Sequence, residues 1–147
     1  MNREMNMLKK LSVIALGLGL VCQAQAFDKT QVNLDQNFWG TWSVYNEKNK
    51  CTETYQFAKP GQFTYKAKQK KLTGDFAVLR NPDPTQLDLL HIEVKTDNKK
   101  ADCSGEIKDY TTGQINLSLK WMSTNTAELC VNREGTSCTG LFLIKQK

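Results

Sequence analysis

Residues 52–79 read TETYQFAKPGQFTYKAKQKKLTGDFAVL. Tyr55 and Phe57 share one face of Thr52–Phe57. Phe63, Tyr65 and Ala67 share one face of Gln62–Lys68, with Lys66 and Lys68 opposite. Leu72, Gly74, Phe76 and Val78 share one face of Leu72–Leu79. Successive side chains leave a strand on opposite sides, so alternation of this kind is the mark of a half-buried β-strand. Lys59-Pro60-Gly61-Gln62 reads as the turn between the first two strands. Proline presets one backbone angle there and glycine permits a positive one.

The same pattern continues on both sides of this stretch. Trp39–Tyr45 forms an earlier strand. Asn81-Pro82-Asp83-Pro84 breaks the chain, and Leu87–Lys95 follows, apolar on both faces. Gly105–Lys108 reads as a short strand. Gln114–Met122 carries Ile115, Leu117, Leu119 and Trp121 on one side, and Glu128–Asn132 and Leu141–Lys145 complete the set. About nine short strands with turns between them and no long helix-period segment predict an all-β fold. Because the strands follow one another closely, a small antiparallel up-and-down β-barrel is expected, and closure removes the edges that invite aggregation.

The first residues read differently. Met7–Ala26 is MLKKLSVIALGLGLVCQAQA: a basic start at Lys9 and Lys10, an apolar run from Leu11 to Val21, and Ala24-Gln25-Ala26 as a small-residue cleavage site. This is the pattern of a secretory signal peptide, and its apolar run is too short for a stable membrane span. The expected organisation is a signal peptide over residues 1–26, a loose polar arm over 27–37 and a barrel over 38–147, in a periplasmic or secreted monomer with no stable membrane insertion. A lipid anchor on Cys22 would want Gly, Ala or Ser before the cysteine, and Val21 stands there. The whole chain has 20 Lys and Arg against 15 Asp and Glu. Without Arg3, Glu4, Lys9 and Lys10 the remainder has 17 against 14, a net +3 and too weak a basic surface to suggest nucleic acid.

Cys51, Cys103, Cys130 and Cys138 remain, and an even count in an exported domain reads as two disulfides. Metal binding would want a C-x-x-C pair or histidine partners, and the chain has one histidine. Setting Cys130 opposite Cys138 makes Asn132 face Thr136 and leaves Arg133-Glu134-Gly135 as a three-residue hairpin loop, with glycine at its left-handed position. Cys51 and Cys103 then pair by elimination, while the other two connectivities stay open.

No catalytic signature is legible: no Gly-x-Ser-x-Gly elbow, phosphate loop, zinc-protease motif or calcium loop. An enzyme and a cofactor are therefore not expected. His91 lies mid-strand on the face of Leu87, Leu89 and Glu93, without a legible nucleophile beside it. Glu53 shares its face with Tyr55 and Phe57, so it either holds the polar head of a ligand or points outward. Lys66, Lys68, Lys70 and Lys71 read as a solvated basic face. The aromatic residues read chiefly as core, with some free to line a cavity. Glu53, Tyr55, Phe63, Tyr65, His91 and Trp121 are the candidate ligand-binding residues.

Gly40-Thr41-Trp42 opens the first strand after the arm. A Gly-x-Trp at the head of a β-meander resembles the calycin group of lipocalins, fatty-acid-binding proteins and avidins. The resemblance implies structural roles for Gly40 and Trp42, with the tryptophan across the closed end of the barrel beneath a basic side chain from a late strand, Lys145 or Arg133. It also implies a small apolar ligand held inside. A second resemblance is to periplasmic inhibitors of secreted zinc proteases. These read Gly-x-Trp, eight residues and Cys, as in Trp42 and Cys51, and carry a Leu-x-Gly-Asp, as in Leu72-Thr73-Gly74-Asp75. That resemblance implies inhibition of a secreted hydrolase through residues 27–37 and the barrel rim. A non-enzymatic binding protein is expected under both.

Overall fold

The computed structural model describes residues 25–147. The expected signal peptide and Cys22 therefore lie almost wholly outside the described residues. Eight strands follow one another around a closed antiparallel barrel. They are β1 (Gly40–Asn46), β2 (Cys51–Ala58), β3 (Gln62–Ala67), β4 (Lys70–Leu79), β5 (Asp88–Asp97), β6 (Gln114–Ser123), β7 (Thr126–Cys130) and β8 (Cys138–Lys145). β8 returns to β1 through Val44 opposite Leu143, so every strand has two neighbours and the up-and-down order is compatible with a calycin-like fold. No helix among the described residues is long and apolar enough to cross a membrane.

The expected ninth strand, Gly105–Lys108, is absent. Only a single bridge, Ala101 to Ile107, forms there. Asp102 accepts from the Ser104 amide and hydroxyl, and this local turn competes with any ladder.

Alternation decides which side chains fill the barrel. Phe63, Tyr65 and Ala67 point inward from β3, and Leu90, Ile92 and Val94 from β5. At Gly74, β4 runs so close to β5 that an added Cβ would stand 1.9 Å from the Glu93 carbonyl oxygen, which only glycine tolerates. Trp42 is fully buried and packs with Phe38 and Trp121 at one end. Its indole N–H donates to the Phe38 carbonyl at 2.8 Å, and Lys145 Nζ lies 5.8 Å from the ring centre. Lys145, not Arg133, thus supplies the basic side chain over the tryptophan. It also donates to the Asn37 carbonyl, while its Cε fills the space beside Gly40.

Both disulfides form, Cys51–Cys103 and Cys130–Cys138. Cys130 faces Cys138 across β7 and β8. Asn132 Nδ2 donates to Thr136 Oγ1 at 2.7 Å, and Gly135 has a φ of +70°, as the hairpin reading requires.

Residues 27–37 depart from the loose arm expected. They form a 3-10 turn (Lys29–Gln31), capped by Asp28, and a one-turn helix α1 (Leu34–Asn37), capped by Asn33. Val32 and the following Phe38 are buried in the core. Lys29 Nζ donates to the carbonyls of Asn81, Asp83 and Gln86. Arg80 donates back to the carbonyls of Lys29 and Val32. Beneath them the fully buried Asp88 accepts the Trp121 indole N–H at 3.0 Å, with Arg80 Nε at 3.1 Å and Lys29 Nζ at 3.6 Å as its counter-charges. The polar sequence hid this docking because the arm is held largely by charge and backbone carbonyls, which leave no hydrophobic period.

Candidate functional site

At the end of the barrel away from Trp42, the interior opens into a cavity of about 310 Å3. β2 and β3 build one wall. Tyr55 sits directly opposite Tyr65, their rings edge to face at 5.0 Å, and Phe63 lies one step deeper. Glu53 pairs with Ala67 in the β2–β3 ladder and lines the cavity. Leu72, Ile92, Ile115 and Leu117 close the apolar side. Residues 98–113, the β5–β6 connection, bring Asp102 and Tyr110 over the mouth. The disulfide from Cys103 to Cys51, at the start of β2, fastens that connection down.

The polar groups here hold unusual acidities. Burial raises the Glu53 carboxyl above its ordinary 4.5, the hydroxyls of Tyr55 and Tyr65 pull it back, and the Asp102 charge adds to the rise. Tyr55 donates to Glu53 Oε2 at 3.0 Å. Burial, with Glu53 beside them, pushes the Tyr55 and Tyr65 phenols upward, and burial and Asp102 do the same to Tyr110. Burial pushes Asp102 up too, but its hydrogen bonds from Ser104 outweigh this and its pKa falls. Glu53 faces the cavity, near its mouth.

Lys70 corrects the basic-face reading. Lys66, Lys68 and Lys71 are exposed, but Lys70 is 1% exposed. Its Nζ donates to both carboxylate oxygens of Asp97, at 2.8 and 3.0 Å, and to the Lys108 carbonyl at 2.7 Å. Asp97 also accepts the Tyr110 amide at 2.7 Å, which fixes the connection from a second point. Burial would raise the Asp97 pKa, but Lys70 and the amides of Tyr110 and Lys99 lower it overall.

Four of the six candidate residues, Glu53, Tyr55, Phe63 and Tyr65, meet in this cavity. His91 does not. It lies on the outer face of β5, bonded to Asn116 Oδ1 at 2.7 Å and 3.4 Å from Glu93. Trp121 lies at the plugged end against Asp88 and borders a second hollow of about 840 Å3 along the docked arm. Sequence reasoning missed Asp102 and Tyr110, which sit in an irregular connection, and Lys70. Lys70 was legible from its parity with Leu72, Gly74 and Phe76 on β4. The cluster of Glu128, Cys130 and Cys138 has the residue types of a metal site, but both sulfurs are spent in the disulfide.

Comparison with protein-family models, curated protein sequences and solved structures returned no significant match.

Proposed function

We propose that this is an exported, non-enzymatic binding protein that holds a small, largely apolar ligand in the cavity at the open end of its barrel. The observation that carries the reading is the cavity itself, an apolar pocket on which a few polar groups of shifted acidity converge. Its volume is at the small end of the range for ligand pockets, roughly 300–1,000 Å3, and suits a compact molecule rather than a long acyl chain. Its lining offers no serine, cysteine or histidine nucleophile, and its lysine is held in an ion pair. The alternative is a calycin-type inhibitor of a secreted hydrolase that inserts residues 27–37 into its target. It has less support, because Lys29, Val32 and the Asn37 carbonyl are engaged with the barrel.

The test is titration with the neutral fluorescent probe N-phenyl-1-naphthylamine. Saturable one-to-one binding is expected, abolished in Ile115→Trp, which fills the cavity, when that variant melts as a folded protein. Absence of binding, or binding indifferent to the tryptophan, would overturn the reading.

A further inference from the structure

The polar end of the cavity is unequal in what it can still offer a ligand. An ammonium has three donors and no acceptor. All three of Lys70's are taken, two by Asp97 and one by the Lys108 carbonyl. The cation lining the cavity is thus neutralised and has no hydrogen left for an anionic guest. The carboxylates are in the opposite condition. An ionised carboxylate offers about four lone-pair sites. Tyr55 and Tyr65 occupy at most two of those on Glu53, so acceptor capacity remains where Glu53 lines the cavity. Asp102, its pKa lowered, adds a second negative charge at the mouth.

The walls favour the same guest. Tyr55, Tyr65 and Tyr110 stand around the carboxylate, and aromatic faces attract cations through their quadrupole, more strongly when water is excluded. Tyr110 is already engaged in this way, with the Lys70 and Lys108 ammonium groups 5.1 and 5.2 Å from its ring centre, so Tyr55 and Tyr65 are the rings left to a guest. Beyond the carboxylate, Phe63, Leu72, Ile92 and Leu117 give an apolar end.

We propose that the cavity selects a small organic cation, an amine or ammonium group on a compact aromatic or aliphatic body, with Glu53 as its counter-ion and Tyr55 and Tyr65 as its aromatic wall. This inference rests on the reading of the cavity as the binding site and adds the chemical class of its ligand. Glu53 is here a binding residue, and the Tyr55 hydroxyl bonded to it positions its carboxylate.

The experiment uses three probes of one shape and different charge: 2-phenylethylamine, 2-phenylethanol and 3-phenylpropionate, titrated calorimetrically into the purified protein at neutral pH. The amine is expected to bind about tenfold or more tighter than the alcohol, and the acid weakest of the three. Glu53→Gln should weaken the amine about tenfold and bring amine and alcohol within about twofold of each other. His91→Gln, on the outer wall, should leave amine affinity unchanged. An alcohol or acid that binds as tightly as the amine, or an amine indifferent to Glu53→Gln, overturns the cation assignment. If none of the three binds while N-phenyl-1-naphthylamine still does, the cation assignment fails and the carrier reading stands. If that probe also fails, both fall.

Discussion

Glu53 and Lys70 are two inward charges lining one cavity, on strands separated by β3, and they are held in opposite ways. Lys70 meets Asp97 in full, and removing either partner would strand a buried charge, at a cost of about 3–5 kcal/mol. Glu53 meets only phenols and a like charge, and burial raises its pKa. A carboxyl whose folded pKa is raised contributes stability that is present below its unfolded pKa and is lost as pH rises through the folded one. Asp97 and Asp102, with lowered pKa values, run the other way and lose their contribution as pH falls. Glu53→Gln removes the first effect alone. Its melting temperature should exceed that of the unaltered protein by more at pH 7 than at pH 4. A gap of the same size at both pH values would show that Glu53 is solvated. The two residues also differ in how far the sequence discloses them. Glu53 has the parity of Tyr55 and Phe57 and was legible as a candidate. Lys70 has the parity of Leu72, yet it stands among exposed lysines, and its partner Asp97 is 27 residues away. Strand parity says which wall a side chain leaves, but only the closed barrel reveals that a carboxylate waits across it.

At the scale of elements, β2 to β4 were legible because each buries one face and exposes the other, and the β7–β8 hairpin because cysteine and glycine fix its register. The β5–β6 connection was not. Gly105–Lys108 resembles a strand in composition, but its backbone is claimed by local turns and by Cys103, and it roofs the cavity instead of joining the wall. Two of the candidate site's polar side chains, Asp102 and Tyr110, therefore lay outside any periodic segment. The two disulfides differ in what they restrain. Cys51–Cys103 spans 52 residues and Cys130–Cys138 spans 8. Loop-closure entropy assigns them about 4 and about 2.5 kcal/mol. Replacing Cys51 and Cys103 together by alanine should thus cost about 1.5 kcal/mol more than replacing the hairpin pair, read as the difference in unfolding free energy in urea. Equal losses would mean that residues 98–113 stay ordered in the unfolded chain or were never restrained by the bridge.

At the scale of the whole molecule, the barrel is finished by a segment outside it. Residues 27–37 supply Val32 to the core, carbonyls to Arg80 and a counter-charge to Asp88. Deleting residues 27–36 should therefore destabilise the barrel by about 3 kcal/mol or more, from lost apolar burial and a weakened buried ion pair. The expected readout is a fall in melting temperature on the order of 10 °C. An unchanged melting temperature would show that the segment is an appendage after all and would return weight to the inhibitor reading. The docked segment also explains why the barrel has one plugged end and one open end. Phe38 carries the chain into the aromatic cluster with Trp42, Phe57 and Phe76, and the cavity beside Glu53 lies towards the other end of the barrel.

The bridge from Cys103 to Cys51 has a consequence for when the molecule becomes competent. Asp102 is the immediate neighbour of one of its sulfurs, and Glu53 lies two residues from the other. Joining the thiols clasps the strand that carries Glu53 to the connection that carries Asp102. A freshly synthesised chain with its thiols apart has strands and a plug but no covalent clasp across the opening. Under the proposed carrier reading, ligand capture would then be a property acquired by oxidation, and the same polypeptide would meet the same small molecule differently in a reducing compartment and in an oxidising one.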